Sequence, residues 1–329
     1  MNQIAIGQAS AMAAAGASAE RSSLLAEAER TIRAGSKSFR FASNLFDQPT
    51  RERAWLLYAW CRACDDLADG QILGHGAVAP ADPERRLAFI REATERALAG
   101  EHVGIAPFDA LRVLGRECAL PRHLVDDHLA GFALDAAGWR PASEADLLRY
   151  CYHVAGAVGC MMAIVMGVPP DDADTIDRAC DLGIAFQLSN IARDIVEDHD
   201  VGRIYVPAEW LRRGCVDPED RAEIAAVARR LAALVADYEG SARVGAARLP
   251  FRARWAVLSA ANIYGAIARK VVARGEGAWD SRTVVGKPAK FLLVARALLE
   301  CAGRPAETGR HELWTRPRQV PRRRPGSGP

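Results

Sequence analysis

Gln187-Leu188-Ser189-Asn190-Ile191-Ala192-Arg193-Asp194-Ile195-Val196-Glu197-Asp198 sets Gln187, Asn190, Asp194 and Asp198 at offsets of three, seven and eleven. At about 100° per residue, these four side chains share an arc of about 80° on one helix. Leu182, Ile184, Ala185, Ile191, Ile195 and Val196 cover the other sides. A solvated helix face ordinarily mixes Lys with Glu, whereas no lysine occurs between Asp172 and Arg203. A polar stripe on an otherwise apolar helix faces something wet or ionic inside the protein. The competing reading, an ordinary solvent face, lacks the mixed charges it requires.

The same design occurs earlier in Asp65-Asp66-Leu67-Ala68-Asp69, where Asp65 and Asp69 are four apart, as are Asp194 and Asp198. Carboxylates one helical turn apart repel, so the spacing brings no gain in stability unless a cation joins them. Hard oxygen donors suit Mg²⁺, which keeps water and binds through a few carboxylates and substrate phosphate oxygens. Two such faces across a cavity would hold a diphosphate carried on magnesium. Arg193 and Arg203 flank the second cluster, Tyr205 follows it, and Arg62 precedes the first by three residues. The guanidinium fork matches phosphate oxygens. For Arg62 the spacing leaves phosphate binding and simple charge balance both open. Tyr152, Gly156, Gly159 and Ala163, with Ala155, fall near one face of an apolar helix. Close approach of a neighbouring helix and room for a long apolar ligand both fit them.

Elsewhere helical periodicity dominates and strand alternation is scarce. Helices are expected over 19–33, from a cap at Thr50 to Asp69, from Asp82-Pro83 to Gly100, and from Pro121 to about Leu134. Ser143 and Asp146 form a capping box before an apolar run that ends at Pro169-Pro170. Further helices fit 172–198, 218–248, 252–274 and 288–301, with a short element at 208–213. The expected fold class is all-α, one helical bundle around a central cavity, spanning 23–309. Residues 1–22, rich in Ala, Gly and Ser, are expected to be a disordered leader. Residues 310–329, with six Arg and one Glu, are expected to be a basic disordered tail.

The net charge is +2, and because 310–329 carries six Arg and one Glu the remainder is slightly acidic, without the footprint of a nucleic-acid binder. Eight scattered cysteines fit reduced thiols, and the lone Cys61/Cys64 pair lacks the partners of a zinc site. No basic segment precedes an apolar core at the start, so no secretory signal is expected. The apolar run 154–168 is shorter than the ~18 residues a membrane span requires. The expected location is the cytoplasm, with peripheral association at the inner face of the membrane, where the Arg-rich tail would meet anionic lipid.

Gly35-Ser36-Lys37-Ser38-Phe39, Tyr58-Ala59-Trp60-Cys61-Arg62 leading into the first acidic cluster, Tyr150-Cys151-Tyr152-His153-Val154-Ala155-Gly156, the stretch quoted at the outset and Arg203-Ile204-Tyr205-Val206-Pro207 appear in one order. So arranged, they closely resemble the squalene/phytoene synthase family, most of all its bacterial carotenoid-forming branch. The likeness runs from about Ser23 to Arg316 and includes Trp279-Asp280-Ser281-Arg282 and Leu313-Trp314-Thr315-Arg316-Pro317. It implies an isoprenoid synthase fold. The implied reaction is head-to-head condensation of two geranylgeranyl diphosphates, through a cyclopropyl diphosphate, to phytoene. By the same resemblance, Asp65, Asp69, Asp194 and Asp198, with Asn190 and Gln187, would hold Mg²⁺ (Mn²⁺ as a substitute) and diphosphate, without NADPH. Ser36, Phe39, Arg62, Tyr152, Arg193, Arg203, Tyr264 and Arg282 would contact diphosphate or line the cavity. The released diphosphate, Tyr152 and Tyr264 are candidates for taking the final proton, and downstream carotenoid enzymes are expected partners. Sister activities from farnesyl diphosphate (squalene, dehydrosqualene or hydroxysqualene formation) and a non-catalytic assembly factor are the alternatives.

Overall fold

Asp47 starts the helix that carries the first acidic cluster: its carboxylate accepts from the Thr50 amide at 3.0 Å, with Pro49 in the first turn. The cap is therefore Asp47 and not Thr50, three residues later. The computed structural model describes residues 2–35, 37–70, 82–303, 305 and 309–317. Among these the secondary structure is helical, with no strand. The α-helices are α1 (Asn2–Gly35), α2 (Lys37–Ser43), α3 (Gln48–Ala68), α4 (Pro83–Leu98), α5 (Ala106–Glu117) and α6 (Arg122–Ala136). They continue as α7 (Glu144–Cys151), α8 (Ala157–Val165), α9 (Ala173–Asp200), α10 (Arg221–Ala246), α11 (Phe251–Arg274) and α12 (Lys287–Ala302). Helix α5 was not anticipated from sequence.

The stops follow elementary chemistry. Gly70, Gly100, Gly138 and Gly167 end helices at positive φ, where a side chain would be strained. The capping box at Ser143 and Asp146 forms as the spacing predicts. Between α7 and α8 the chain does not break but widens into a π-helical segment, Tyr152–Gly156. Such a segment inserts a residue into the turn and rotates everything beyond it. Helix α9 lies at the centre, packed against α8, α10, α11 and the π segment. Gly159 and Gly183 permit this. A Cβ on Gly159 would strike the carbonyl of Ala179, and one on Gly183 that of Ala155. The small residues thus serve close helix approach. The apolar run Glu144–Val165 is mostly buried within the bundle.

Both expected tails need correction. Helix α1 begins at Asn2, because the Ala-rich leader has high helix propensity. Arg21, inside the expected leader, pairs with Glu52 and Glu117, each at 2.6 Å. At the other end, Arg310 reaches Asp181 at 2.6 Å and Arg316 reaches Asp177 at 2.7 Å, while the Trp314 amide donates to the Tyr238 hydroxyl at 3.2 Å. Asp177 and Asp181 are almost wholly buried, and a buried carboxylate needs a cation, so this segment belongs to the body. The remainder of the expected tail, 318–329, lies outside the described residues.

Candidate active site

One face of α9 borders a cavity of about 1920 Å³ from Thr175 through Leu182, Phe186, Gln187 and Asn190 to Asp194 and Asp198. From Thr175 to Asp194 this wall extends for about 28 Å at 1.5 Å per residue. The cavity exceeds the ~300–1,000 Å³ of ordinary small-ligand pockets. Its character changes along its length. Val154, Val158, Met162, Leu182 and Ile263 give apolar walls, whereas the C-terminal half of α9 and the end of α3 give charged ones.

Of the residues singled out from sequence, Phe39, Arg62, Asp65, Asp69, Gln187, Asn190, Arg193, Asp194, Asp198, Arg203, Tyr264 and Arg282 all line this cavity. Ser36 lies outside the described residues. Tyr152 is elsewhere: fully buried, it donates its hydroxyl to Asp127 and packs its ring on Trp314. The tyrosine of that motif that borders the cavity is Tyr150. An unbroken 3.6-residue period would continue from Tyr152 to Gly156 and Gly159. The π segment turns Val154, Ala155 and Val158 toward the cavity beside Gly159, and leaves Tyr152 and Gly156 off it. Tyr152 is therefore removed as a candidate proton acceptor.

The charged end is an alternation of carboxylates and guanidiniums. Arg62 donates to Asp65 at 3.0 Å and also pairs with Asp66. Arg203, in the loop after α9, pairs with Asp69 at the end of α3 and so joins the two acidic walls. Arg193 donates two hydrogen bonds to Asp194, at 2.7 and 2.5 Å, and Arg282 approaches the same carboxylate at 3.3 Å while pairing with Glu197. Asp198 lies between Asp194 and Glu197, which repel its charge, and Arg203 and Arg193, which oppose them. Burial first, then the Asp194 charge, pushes it up to about 7. Burial raises Asp65 to about 6, with Asp69 and Asp66 adding and Arg62 opposing. The Asp65 side chain is 49 % accessible, but its accessible surface faces the cavity, whose walls limit hydration.

Carboxylates held partly protonated by crowding accommodate a divalent cation, which relieves both repulsion and desolvation. Among the described residues, no three His, Cys, Asp or Glu side chains converge on one point to form a metal cage. That donor set fits Mg²⁺ held by one or two carboxylates per wall and completed by water and phosphate oxygens. It does not fit a structural zinc site.

Asp135, Tyr150 and Phe186 also border the cavity and were not singled out from sequence. Asp135 on α6 accepts hydrogen bonds from Tyr150 at 3.1 Å and Tyr205 at 2.9 Å, and burial raises its pKa. The Trp139, Tyr150 and Tyr205 rings stack in sequence with centroids 5.7 and 4.8 Å apart. The signal available was the Tyr150-Cys151-Tyr152 repeat, but spacing alone does not say which tyrosine faces inward. Phe186 and Tyr264 stack at 4.1 Å along the wall, and Phe39 stacks on Tyr58 at 5.1 Å.

Comparison with known proteins agrees with this architecture. The family model described as squalene/phytoene synthase matches residues 32–289. The 15-cis-phytoene synthase of Pantoea ananas is 45 % identical over 84 % of this chain and 91 % of its own. That of a Paracoccus species is 42 % identical over 90 % and 99 %. The crystal structure of a dehydrosqualene synthase in complex with ligand superposes with a TM-score of 0.75 at 27 % identity, covering 84 % of this chain and 96 % of that one. Opposed acidic walls on α3 and α9, a long apolar cavity between them and these relatives agree: the chain belongs to the squalene/phytoene synthase family.

Proposed function

We propose that this protein condenses two geranylgeranyl diphosphates head to head, through a cyclopropyl (prephytoene) diphosphate, to 15-cis-phytoene, releasing diphosphate. It is thus a prenyl transferase of carotenoid biosynthesis. The observation that carries this reading is that one helix face lines a single cavity from apolar wall to aspartates. A substrate with a charged head and a long hydrocarbon tail matches that polarity.

Asp65 and Asp69 on one wall and Asn190, Asp194 and Asp198 on the other would hold Mg²⁺, or Mn²⁺, together with diphosphate oxygens. When bound, the cation supplies Lewis-acid stabilisation of the departing diphosphate. Arg62, Arg193, Arg203 and Arg282 contribute donors for the same oxygens once substrate displaces their carboxylate partners. The apolar walls exclude water, which would otherwise capture the allyl cation as an alcohol. Tyr150 and Tyr205, fixed through their hydrogen bonds to Asp135, line the charged end of the cavity and hold that carboxyl beside it. Tyr264 retains its place at the wall and, with released diphosphate, is a candidate for the last proton.

The 42–45 % identity to phytoene synthases supports the twenty-carbon substrate. The likeness to a dehydrosqualene synthase keeps a farnesyl-using sister as the second reading. Incubation with each prenyl diphosphate and Mg²⁺, with and without NADPH, distinguishes them by product mass. Phytoene without NADPH is expected. Product from farnesyl diphosphate alone, or an NADPH requirement, would overturn the assignment.

A further inference from the structure

Helix α12 is amphipathic in an unusual sense: both of its faces are apolar. Val294 and Ala297 turn inward against the first turns of α11, where the Trp255 indole donates to the Val294 carbonyl at 3.0 Å. On the opposite side Phe291, Leu292, Ala295, Leu298, Leu299 and Ala302 are all exposed, with accessibilities of 62 % for Phe291, 73 % for Leu292 and 77 % for Leu299. At about 100° per residue these six fall within about 120°, and no charged residue interrupts them. A contiguous outward strip of this kind marks an interaction surface.

The position of the strip is informative. Phe291 and Val284, the latter 58 % exposed, also line the cavity, so the cavity opens beside the strip. Phe291 packs edge-on against Phe41 of α2, whose neighbour Arg40 is exposed and borders the same opening. Lys287 and Arg296 project from the two flanks of the arc. Arg252 and Arg254, at the start of α11, are held by backbone carbonyls, those of Leu45 and Phe46 and those of Glu300 and Gly303. The nearby acidic side chain, Glu300, is engaged by Arg243 at 2.5 Å and Arg296 at 2.8 Å. The border of the strip is thus basic.

We propose that this face of α12 docks the protein on an anionic bilayer surface, with the cavity opening against the lipid so that an apolar product leaves without crossing water. The product part rests on the function proposed above; the docking surface does not. A helix lying in the interface, apolar side down with cations at its edges, is the geometry by which peripheral proteins bind such membranes. A second copy of the chain fits less well. A strip about 16 Å long and about 10 Å wide covers roughly 160 Å², well short of the ~800 Å² per partner of a stable interface. The basic segment expected from sequence to meet lipid is in part committed elsewhere, since Arg310 and Arg316 hold Asp181 and Asp177.

The test is flotation of the full-length protein with vesicles of phosphatidylcholine, alone or mixed with phosphatidylglycerol. Wild type is expected to float with the anionic vesicles, less so at high salt. Leu292→Glu/Leu299→Glu is expected to reduce flotation at least tenfold with circular dichroism unchanged. Neither leucine lines the cavity, so turnover of detergent-dispersed substrate is expected to be retained. Should the double variant misfold, Leu292→Ser/Leu299→Ser gives the same reading in milder form. Arg322→Gln/Arg323→Gln/Arg324→Gln is expected to float as wild type does. Docking through α12 is overturned if wild type ignores both vesicle types, if the leucine variants bind undiminished, if the arginine variant alone loses binding, or if light scattering shows a dimer that the leucine variants dissociate. Because flotation uses no prenyl substrate, its failure is separate from failure of the catalytic reading.

Discussion

Asp198→Asn should stabilise the metal-free protein while destroying its activity, and the pH dependence of the gain follows from the site. Asp198 is raised from 3.8 to about 7 by burial and by Asp194. An acid with a raised folded-state pKa contributes stability that is fully present below about 3.8 and lost as pH climbs through about 7. At pH 5 the folded side chain is protonated but the unfolded one is already ionised, so about a third of the loss is in place and the variant should melt only slightly above wild type. At pH 8 wild type carries a buried charge that the variant lacks. The full shift corresponds to at most about 4 kcal/mol at 1.36 kcal/mol per pH unit. Because water reaches about a third of the group, a discounted figure of about 1.5 kcal/mol is more realistic. With about 2.1 cal/mol/K of unfolding entropy per residue, that is a rise of roughly 2 °C. Thermal melts in chelator at pH 5 and pH 8 measure it. Adding Mg²⁺ at pH 8 should raise wild type more than the variant. A variant less stable than wild type at pH 8 in chelator, or an equal difference at both pH values, would refute the argument.

Asp194→Asn removes the negative charge shared by Arg193 and Arg282 and should lower turnover by more than about a hundredfold with unchanged circular dichroism. Near-normal product yield would refute its assignment. Tyr150→Phe should cut turnover at least tenfold, whereas Tyr152→Phe should cost about 1 kcal/mol of stability and leave turnover within about threefold. Steady-state rates and melts on the two variants check the assignment of the inward-facing tyrosine. Arg310→Ala leaves Asp181 buried with Ser241 as its remaining hydrogen-bond partner. It should destabilise by about 3–5 kcal/mol, roughly 4–7 °C, measured by thermal melts.

Much of the site was legible because its determinants are local. Whether Gln187, Asn190, Asp194 and Asp198 share a face depends only on helical geometry, and α9 is regular over that span. The same holds for Asp65 and Asp69 on α3, for the Ser143 capping box and for the glycine stops. The Asp47 cap was displaced by three residues because both Asp47 and Thr50 are competent caps and the choice depends on where packing begins. The Ala-rich start looked featureless for want of an amphipathic stripe, yet alanine favours helix without one.

What the chain alone determined is the periodic part: an all-α fold, and two carboxylate pairs each confined to one side of a helix, because covalent geometry repeats every few residues. Which tyrosine enters the cavity required the π segment, which packs on α6 and α9. That Arg310 and Arg316 serve the body was likewise decided in three dimensions, since their partners Asp177 and Asp181 lie more than a hundred positions away. The outward apolar strip of α12 belongs with these. Its residues alternate on the helix in the same way as a buried stripe, and only the absence of a neighbour on that side, among the described residues, distinguishes a surface from a core.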